Sequence, residues 1–327
     1  MTRFARYARW VLGINLLVIL WGAFVRASGS GAGCGSHWPL CNGVVLPRAP
    51  AVATIIEFTH RATSGVALAC VLVLVVAARR VFPPRAPARR AAQAAMLLII
   101  TEALVGAGLV LFEMVARNAS VARGWWMSAH LVNTFLLLAS LALTASFAGG
   151  APPPRLRGSG ITGVVGLLLL LFALVLGVSG AITALGDTLF PAASLREGLA
   201  QDLDASAHFF VRLRVWHPVL AIAFGATAAL GTRWLAARAG DPAAMRFANA
   251  CGALIVAQLT VGAANLFTLA PIALQLVHLL LADLVWIALV LCLCAASAAN
   301  VVSAATAAPG ARAARAARAA RRAPDPA

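Results

Sequence analysis

The chain has 327 residues, 62% hydrophobic and only 11% charged, with a mean hydropathy of +0.91. Soluble domains are roughly half apolar and about a quarter charged, so the composition excludes a water-soluble globular protein and indicates an integral membrane protein. The net charge of +16 comes wholly from arginine. No compact basic stretch interleaved with aromatics accompanies it, so the charge speaks to membrane topology and not to nucleic acid.

Apolar windows of about 20 residues, the length that crosses a bilayer, fall near residues 10–26, 54–78, 93–113, 126–148, 160–182, 211–234, 246–267 and 272–298. They lack the period-two alternation of barrel strands, so each predicts a helix. The expected fold is an all-α membrane protein with eight transmembrane helices. A basic start followed by an apolar run also fits a cleaved signal peptide, but the internal repeat below favours a true first span. Arg79 to Arg90 is rich in arginine and proline, Gly149 to Arg157 in glycine and proline, and Gly186 to Ala207 reads as a polar, acidic connection. The tail 301–327 is Ala/Arg low complexity, expected to be disordered or to lie on anionic lipid.

With the N-terminus inside, eighteen arginines fall on inner segments and seven on outer ones. The positive-inside rule therefore places both termini in the cytoplasm, as for a bacterial-type plasma membrane.

The second half restates the first. Gly22-Ala23-Phe24-Val25 closes span 1 as Gly180-Ala181-Ile182-Thr183 closes span 5. Glu102-Ala103-Leu104-Val105-Gly106-Ala107 parallels Gln258-Leu259-Thr260-Val261-Gly262-Ala263. His60 and His217 head spans 2 and 6, while His130 and His278 head spans 4 and 8. Two pseudo-symmetric four-helix bundles follow, residues 1–150 and 151–300, related by a parallel repeat. All four histidines lie on even-numbered helices near the outer face, hence at one depth. A single histidine in a bundle is usually a packing residue, but four at a common level suggest axial ligands of two haems, His60 with His130 and His217 with His278. Zinc or copper would want three or four converging ligands. Ser64, Gly65, Gly106 and Gly108 offer room for a flat macrocycle, or simply close helix packing.

Glu57 lies three residues before His60, on the same helix face and towards the outer surface. A carboxylate there could take a proton or stabilise positive charge on a porphyrin substituent; alternatively it pairs with Arg61. The second half has Arg214 at the corresponding place, so one site is expected to do chemistry and the other to transfer electrons or serve structure. Arg26, Arg61, Arg212 and Arg214 near the outer boundary are candidates for haem propionates, or for interfacial snorkelling. Glu102 and Asp283 fall deeper. Asp283 points away from His278 at about 100° per residue, to bond a neighbouring helix or serve a proton path. Cys34 and Cys41 share a Gly-rich outer loop, in an oxidising compartment if the N-terminus is inside, which favours a disulfide.

Taken in order, these segments resemble the haem A synthase family. The match includes Gly22-Ala23-Phe24-Val25-Arg26, Ser28-Gly29-Ser30-Gly31, Cys34 with Trp38-Pro39-Leu40-Cys41-Asn42-Gly43, and Glu57-Phe58-Thr59-His60-Arg61. It continues through His130-Leu131, Gly177-Val178-Ser179-Gly180-Ala181, Trp216-His217-Pro218 and His278-Leu279. The resemblance implies that His60 and His130 flank haem O as substrate, that Glu57 is the catalytic carboxylate, and that His217 and His278 ligate a haem b. It also implies stepwise oxidation of a porphyrin methyl to a formyl group with water as oxygen source, a Cys34–Cys41 disulfide, and a haem O synthase as the partner that delivers substrate. Rival expectations are a bis-haem electron-transfer cytochrome, disfavoured because its haems should occupy both membrane faces, and a transporter, which would show inverted repeats and broken mid-membrane helices.

Overall fold

A computed structural model describes residues 2–154 and 159–320, with side chains up to Ala298. Arg155, Arg157 and the side chains of the Ala/Arg tail lie outside the described residues, and with them part of the arginine asymmetry and the expectation for the tail.

All regular structure among the described residues is helical. The first half comprises α1 (Arg3–Ala27), α2 (Val52–Val81), α3 (Pro87–Leu111) and α4 (Val121–Ala148). The second comprises α5 (Gly160–Leu189), α6 (Leu195–Leu203), α7 (Phe209–Arg214), α8 (Trp216–Ala239), α9 (Pro242–Phe267) and α10 (Ile272–Ala320). Eight spans are long and apolar enough to cross a membrane, α7 and α8 together forming the sixth over Phe209–Ala239.

Local chemistry explains the boundaries. Thr2 caps α1 by accepting from the Ala5 amide, and Ser120 caps α4 by accepting from the Arg123 amide. Pro87 and Pro242 sit in the first turns of α3 and α9, where a missing N–H costs nothing. Gly240 ends α8 at φ 64°, a left-handed conformation that favours glycine. The sixth span breaks at Val215. Pro218 has no N–H to offer the carbonyl one turn earlier, which loosens the helix just before His217.

The helix pairings are the same in each half. In the first, α1 packs on α2, α2 on α3, α3 on α4 and α4 back on α1; in the second, α5, α8, α9 and α10 close the same ring. Between halves α4 meets α10, α1 meets α10 and α4 meets α5. Exchanging α1 with α5 and α4 with α10 leaves that set unchanged, as a pseudo-two-fold relation requires. The seam is specific: Trp286 stacks on Phe135 with ring centres 5.1 Å apart and donates its indole N–H to the Phe135 carbonyl at 2.6 Å.

The two hydrophobic cores are displaced from the histidines. One gathers Phe4, Ala8, Val11, Val71, Leu74, Ala92, Ala95 and Leu141; the other gathers Leu138, Leu169, Ala228, Leu235, Ala248, Ile255 and Leu289. Alanine-rich faces bring these helices close at the end where the N-terminus lies, and the histidines lie towards the opposite end. Leu17, Leu97, Ile222 and Val256 are each at least 64% exposed. An apolar girdle of that kind belongs in lipid.

The connection 186–207, expected as a polar link, contains the helix α6. Its start is a capping box, Ser194-Leu195-Arg196-Glu197. The Ser194 hydroxyl accepts from the Glu197 amide at 3.2 Å, and the Glu197 carboxylate accepts from the Ala193 amide at 2.9 Å. That motif was legible in the sequence.

Candidate functional site

Each histidine faces a glycine on the preceding long helix. A Cβ placed on Gly22 would lie 2.8 Å from His60 Cε1, one on Gly180 3.0 Å from His217 Cε1, and one on Gly262 2.9 Å from His278 Cε1. Gly106 faces His130 Cε1 more loosely, at 3.9 Å. Glycine at 22, 180 and 262 therefore makes room for the imidazole itself. His60 lies eight residues into α2, His130 nine into α4, His278 six into α10, and His217 eight into the span from Phe209. At about 1.5 Å per residue this spread is only a few ångströms of depth. By position along their spans the four histidines fall within one helical turn of each other.

The second-half pair has a separation that can be measured against metal ligation. His217 and His278 have ring centres 6.3 Å apart and planes crossed at 84°. Two imidazoles on opposite sides of one metal, with bonds of about 2 Å and ring centres about 1 Å further back, stand about 6 Å apart, so the pair fits axial ligation of an iron porphyrin. The Nδ1 atoms of His60, His130 and His278 are buried without a hydrogen-bond partner, while His217 Nδ1 contacts Ser179 Oγ at 2.9 Å. No three His, Cys, Asp or Glu side chains among the described residues form a metal-holding cluster. The donor set thus suits an iron that already has its equatorial ligands.

Glu57 is 3% exposed and fully engaged. Its Oε2 accepts from the Cys34 amide at 2.9 Å, and its Oε1 accepts from Arg61 Nε at 3.2 Å and Nη2 at 2.5 Å. Arg61 also donates to the His37 and Leu40 carbonyls. Cys34 and Cys41 are joined in a disulfide and are almost wholly buried. Gly33 presses this loop onto the start of α2, where a Cβ would come 2.4 Å from the Ala53 carbonyl carbon, and Thr54 donates to the Gly33 carbonyl at 2.7 Å. The Glu57–Arg61 pair is therefore the latch that holds the disulfide loop against the start of α2.

The four arginines proposed for propionates have different fates. Arg26 crosses between halves, donating to the Ala184 carbonyl at 2.8 Å, Thr188 Oγ1 at 2.7 Å and Gln275 Oε1 at 2.9 Å. Arg61 is taken by the latch. Arg214 pairs with Asp187 at 2.9 Å and Asp202 at 2.7 Å, tying α5, α6 and α7 together. Arg212 has no such commitment among the described residues; it lines a cavity of about 510 Å³ with Phe209, Leu213 and Trp216.

The two deeper acids have different surroundings. Glu102 lies one turn further in than His130, at the level of Asn133 and Thr134, which donate to it, and its Oε1 stands 3.4 Å from His130 Nδ1, near but not aligned for a hydrogen bond. Its place follows from chain direction, since α3 carries Gly106 opposite His130 and Glu102 is one turn away. Asp283 is 0% exposed and neither carboxylate oxygen has a hydrogen-bond partner, so of its two readings the bond to a neighbouring helix is not made.

An all-helical integral membrane protein with eight candidate spans and a histidine facing a glycine in each of four helix pairs is thus the class that fold and site define. More narrowly, the chain belongs to the cytochrome oxidase assembly protein family, COX15-CtaA, whose sequence model matches residues 5–290. Among its relatives, a Thermus thermophilus protein named Protoheme IX farnesyltransferase is 50% identical over 289 residues, 88% of this chain and 48% of that one. The Heme A synthase of Alkalihalophilus pseudofirmus is 41% identical over 127 residues, covering 39% of this chain and 42% of the relative. That of Halalkalibacterium halodurans is 39% identical over 159 residues, covering 48% and 51%. The chain spans about half the length of these curated relatives.

Proposed function

We propose that the chain is a haem A synthase, oxidising a methyl group of haem O to the formyl group of haem A. The observation that carries the assignment is the layer of four imidazoles, two to a half, each seated opposite a glycine above a packed core. His60 and His130 hold haem O as substrate; His217 and His278 hold a resident haem b. When bound, the resident haem supplies one-electron transfer away from the substrate.

The methyl is oxidised to an alcohol: a C–H bond breaks, water supplies the oxygen of the new C–O bond, and two protons and two electrons leave, the electrons passing to an external electron acceptor. A second such oxidation gives a gem-diol, which loses water to leave the aldehyde. Glu57 lies one turn outward of His60, and Arg61 and the Cys34 amide fix its orientation. A carboxylate held in this way is a preorganised charge, so its role is to stabilise positive charge developing on the substituent. The disulfide loop it holds excludes water from the outer side. Arg212, uncommitted, is assigned to a propionate of the second-half haem. The membrane is a bacterial-type plasma membrane with both termini cytoplasmic.

The Thermus name raises a second activity, farnesyl transfer. Such transfer commonly draws on carboxylates that hold a divalent cation against a diphosphate, and no cluster of that kind occurs among the described residues. This chain covers 48% of that relative, and we assign farnesyl transfer to a partner, a haem O synthase that delivers substrate.

The test is expression with a haem O source and chromatography of the extracted pigments. Haem A, with some hydroxylated intermediate, is expected. Folded, haem-loaded protein that yields neither would reject the assignment.

A further inference from the structure

The halves are unequal at the histidine of their last helix. In the first half the neighbour on α3 is a carboxylate, Glu102, 3.4 Å from His130 Nδ1. In the second half the corresponding residue on α9 is Gln258, whose neutral amide stands 3.3 Å from His278 Nε2. Glu102 is held in place. Asn133 Nδ2 donates to its Oε2 at 2.5 Å and the Thr134 hydroxyl donates to its Oε1. Asn133 is itself pinned by the Thr101 hydroxyl at 2.6 Å and by the Leu98 carbonyl at 2.8 Å. Three and four residues after His278 stand Leu281 and Ala282, so the second half has nothing with which to build this network. No arginine pairs with Glu102 among the described residues, and its one ion-pair neighbour is His130.

A ligand imidazole whose far N–H points at a carboxylate is fixed in tautomer and becomes a stronger donor to its metal. We propose that Glu102 is a positioning residue that turns His130 Nδ1–H towards its carboxylate and Nε2 towards the substrate iron, making His130 a stronger donor than His278. A small ring rotation closes the 3.4 Å approach. A stronger donor favours the ferric state, so the first-half iron sits at lower potential and electrons run from the substrate half to the second half. This rests on the haem A synthase assignment, in which the first half holds haem O.

The test is a redox titration of the haem-loaded full chain, followed optically and by low-temperature electron paramagnetic resonance, with a His217→Ala variant assigning the two couples. Glu102→Gln should shift the first-half couple about tenfold towards ferrous, about 59 mV upward for one electron, and leave the second-half couple in place. Gln258→Glu should move the second-half couple downward. Unchanged midpoints in Glu102→Gln with both haems present would overturn the proposal while leaving the assignment intact. If Glu102→Gln loses its first-half haem, Gln258→Glu decides: a downward shift supports the proposal and no shift overturns it. A wild-type chain that leaves haem O unoxidised removes the assignment and this inference together.

Discussion

Replacing Gly22 with alanine should cost haem and not fold. The added Cβ would stand 2.8 Å from His60 Cε1 and 3.1 Å from Nε2. Carbon contacts prefer about 3.5–4.0 Å, so the ring has to retreat by about 0.7 Å or more. In the haem-free chain the imidazole is a side-chain tip and can swing aside at little cost. Tied to an iron it cannot, and overpacking of this kind costs about 1–3 kcal/mol. At about 1.4 kcal/mol per tenfold in affinity, binding to the first half should weaken by about 5- to 150-fold. Gly106→Ala is the internal control, because its Cβ would make an ordinary 3.9 Å contact with His130. Haem content per chain, read from pyridine haemochrome spectra beside a thermal melt of the haem-free protein, separates the two costs. A Gly22→Ala protein with full haem load and an unaltered spectrum would refute the claim that this glycine seats an iron-bound imidazole.

Glu57→Gln should retain both haems and lose product formation by about 10²-fold or more, as for other preorganised charges; unchanged turnover by pigment analysis would remove Glu57 from the chemistry. Arg26→Ala should destabilise the seam between halves by about 1.5–3 kcal/mol, the scale of hydrogen bonds from a charged donor, seen as an earlier melt. An unshifted melt would show that the Ala184, Thr188 and Gln275 contacts do not hold the halves together. Asp283→Leu should stabilise the protein by about 1–3 kcal/mol, because it removes a buried polar group that lacks a hydrogen bond. Loss of stability, or of haem oxidation in stable protein, would instead give that carboxyl a partner or a proton to carry.

What the sequence made legible is what repeats within it. Span lengths, the histidine at the head of every second helix and the glycine motifs that close spans 1 and 5 are local patterns, and the fold follows them. The Glu57–Arg61 pair was legible too, being four residues apart on one helix. The latch it makes with the Cys34 amide was not, because it joins residues 23 apart through a loop whose path periodicity does not set. Arg26 reaches Ala184 across 158 positions, and no spacing rule announces that contact. The depth of Glu102 followed from its place in the third span, but its approach to His130 Nδ1 did not, because that depends on how α3 packs on α4. The α6 helix lay hidden under a polar composition although its capping box was present in the sequence.

The claim on which the rest depends is that two haems are gripped in one layer by two separate histidine pairs. Haem-to-protein stoichiometry in the four single His→Ala variants tests it most directly. The account predicts that His60→Ala and His130→Ala each deplete the same haem, while His217→Ala and His278→Ala each deplete the other. Four variants that all keep the wild-type load, or that deplete haem without regard to these pairs, would contradict it.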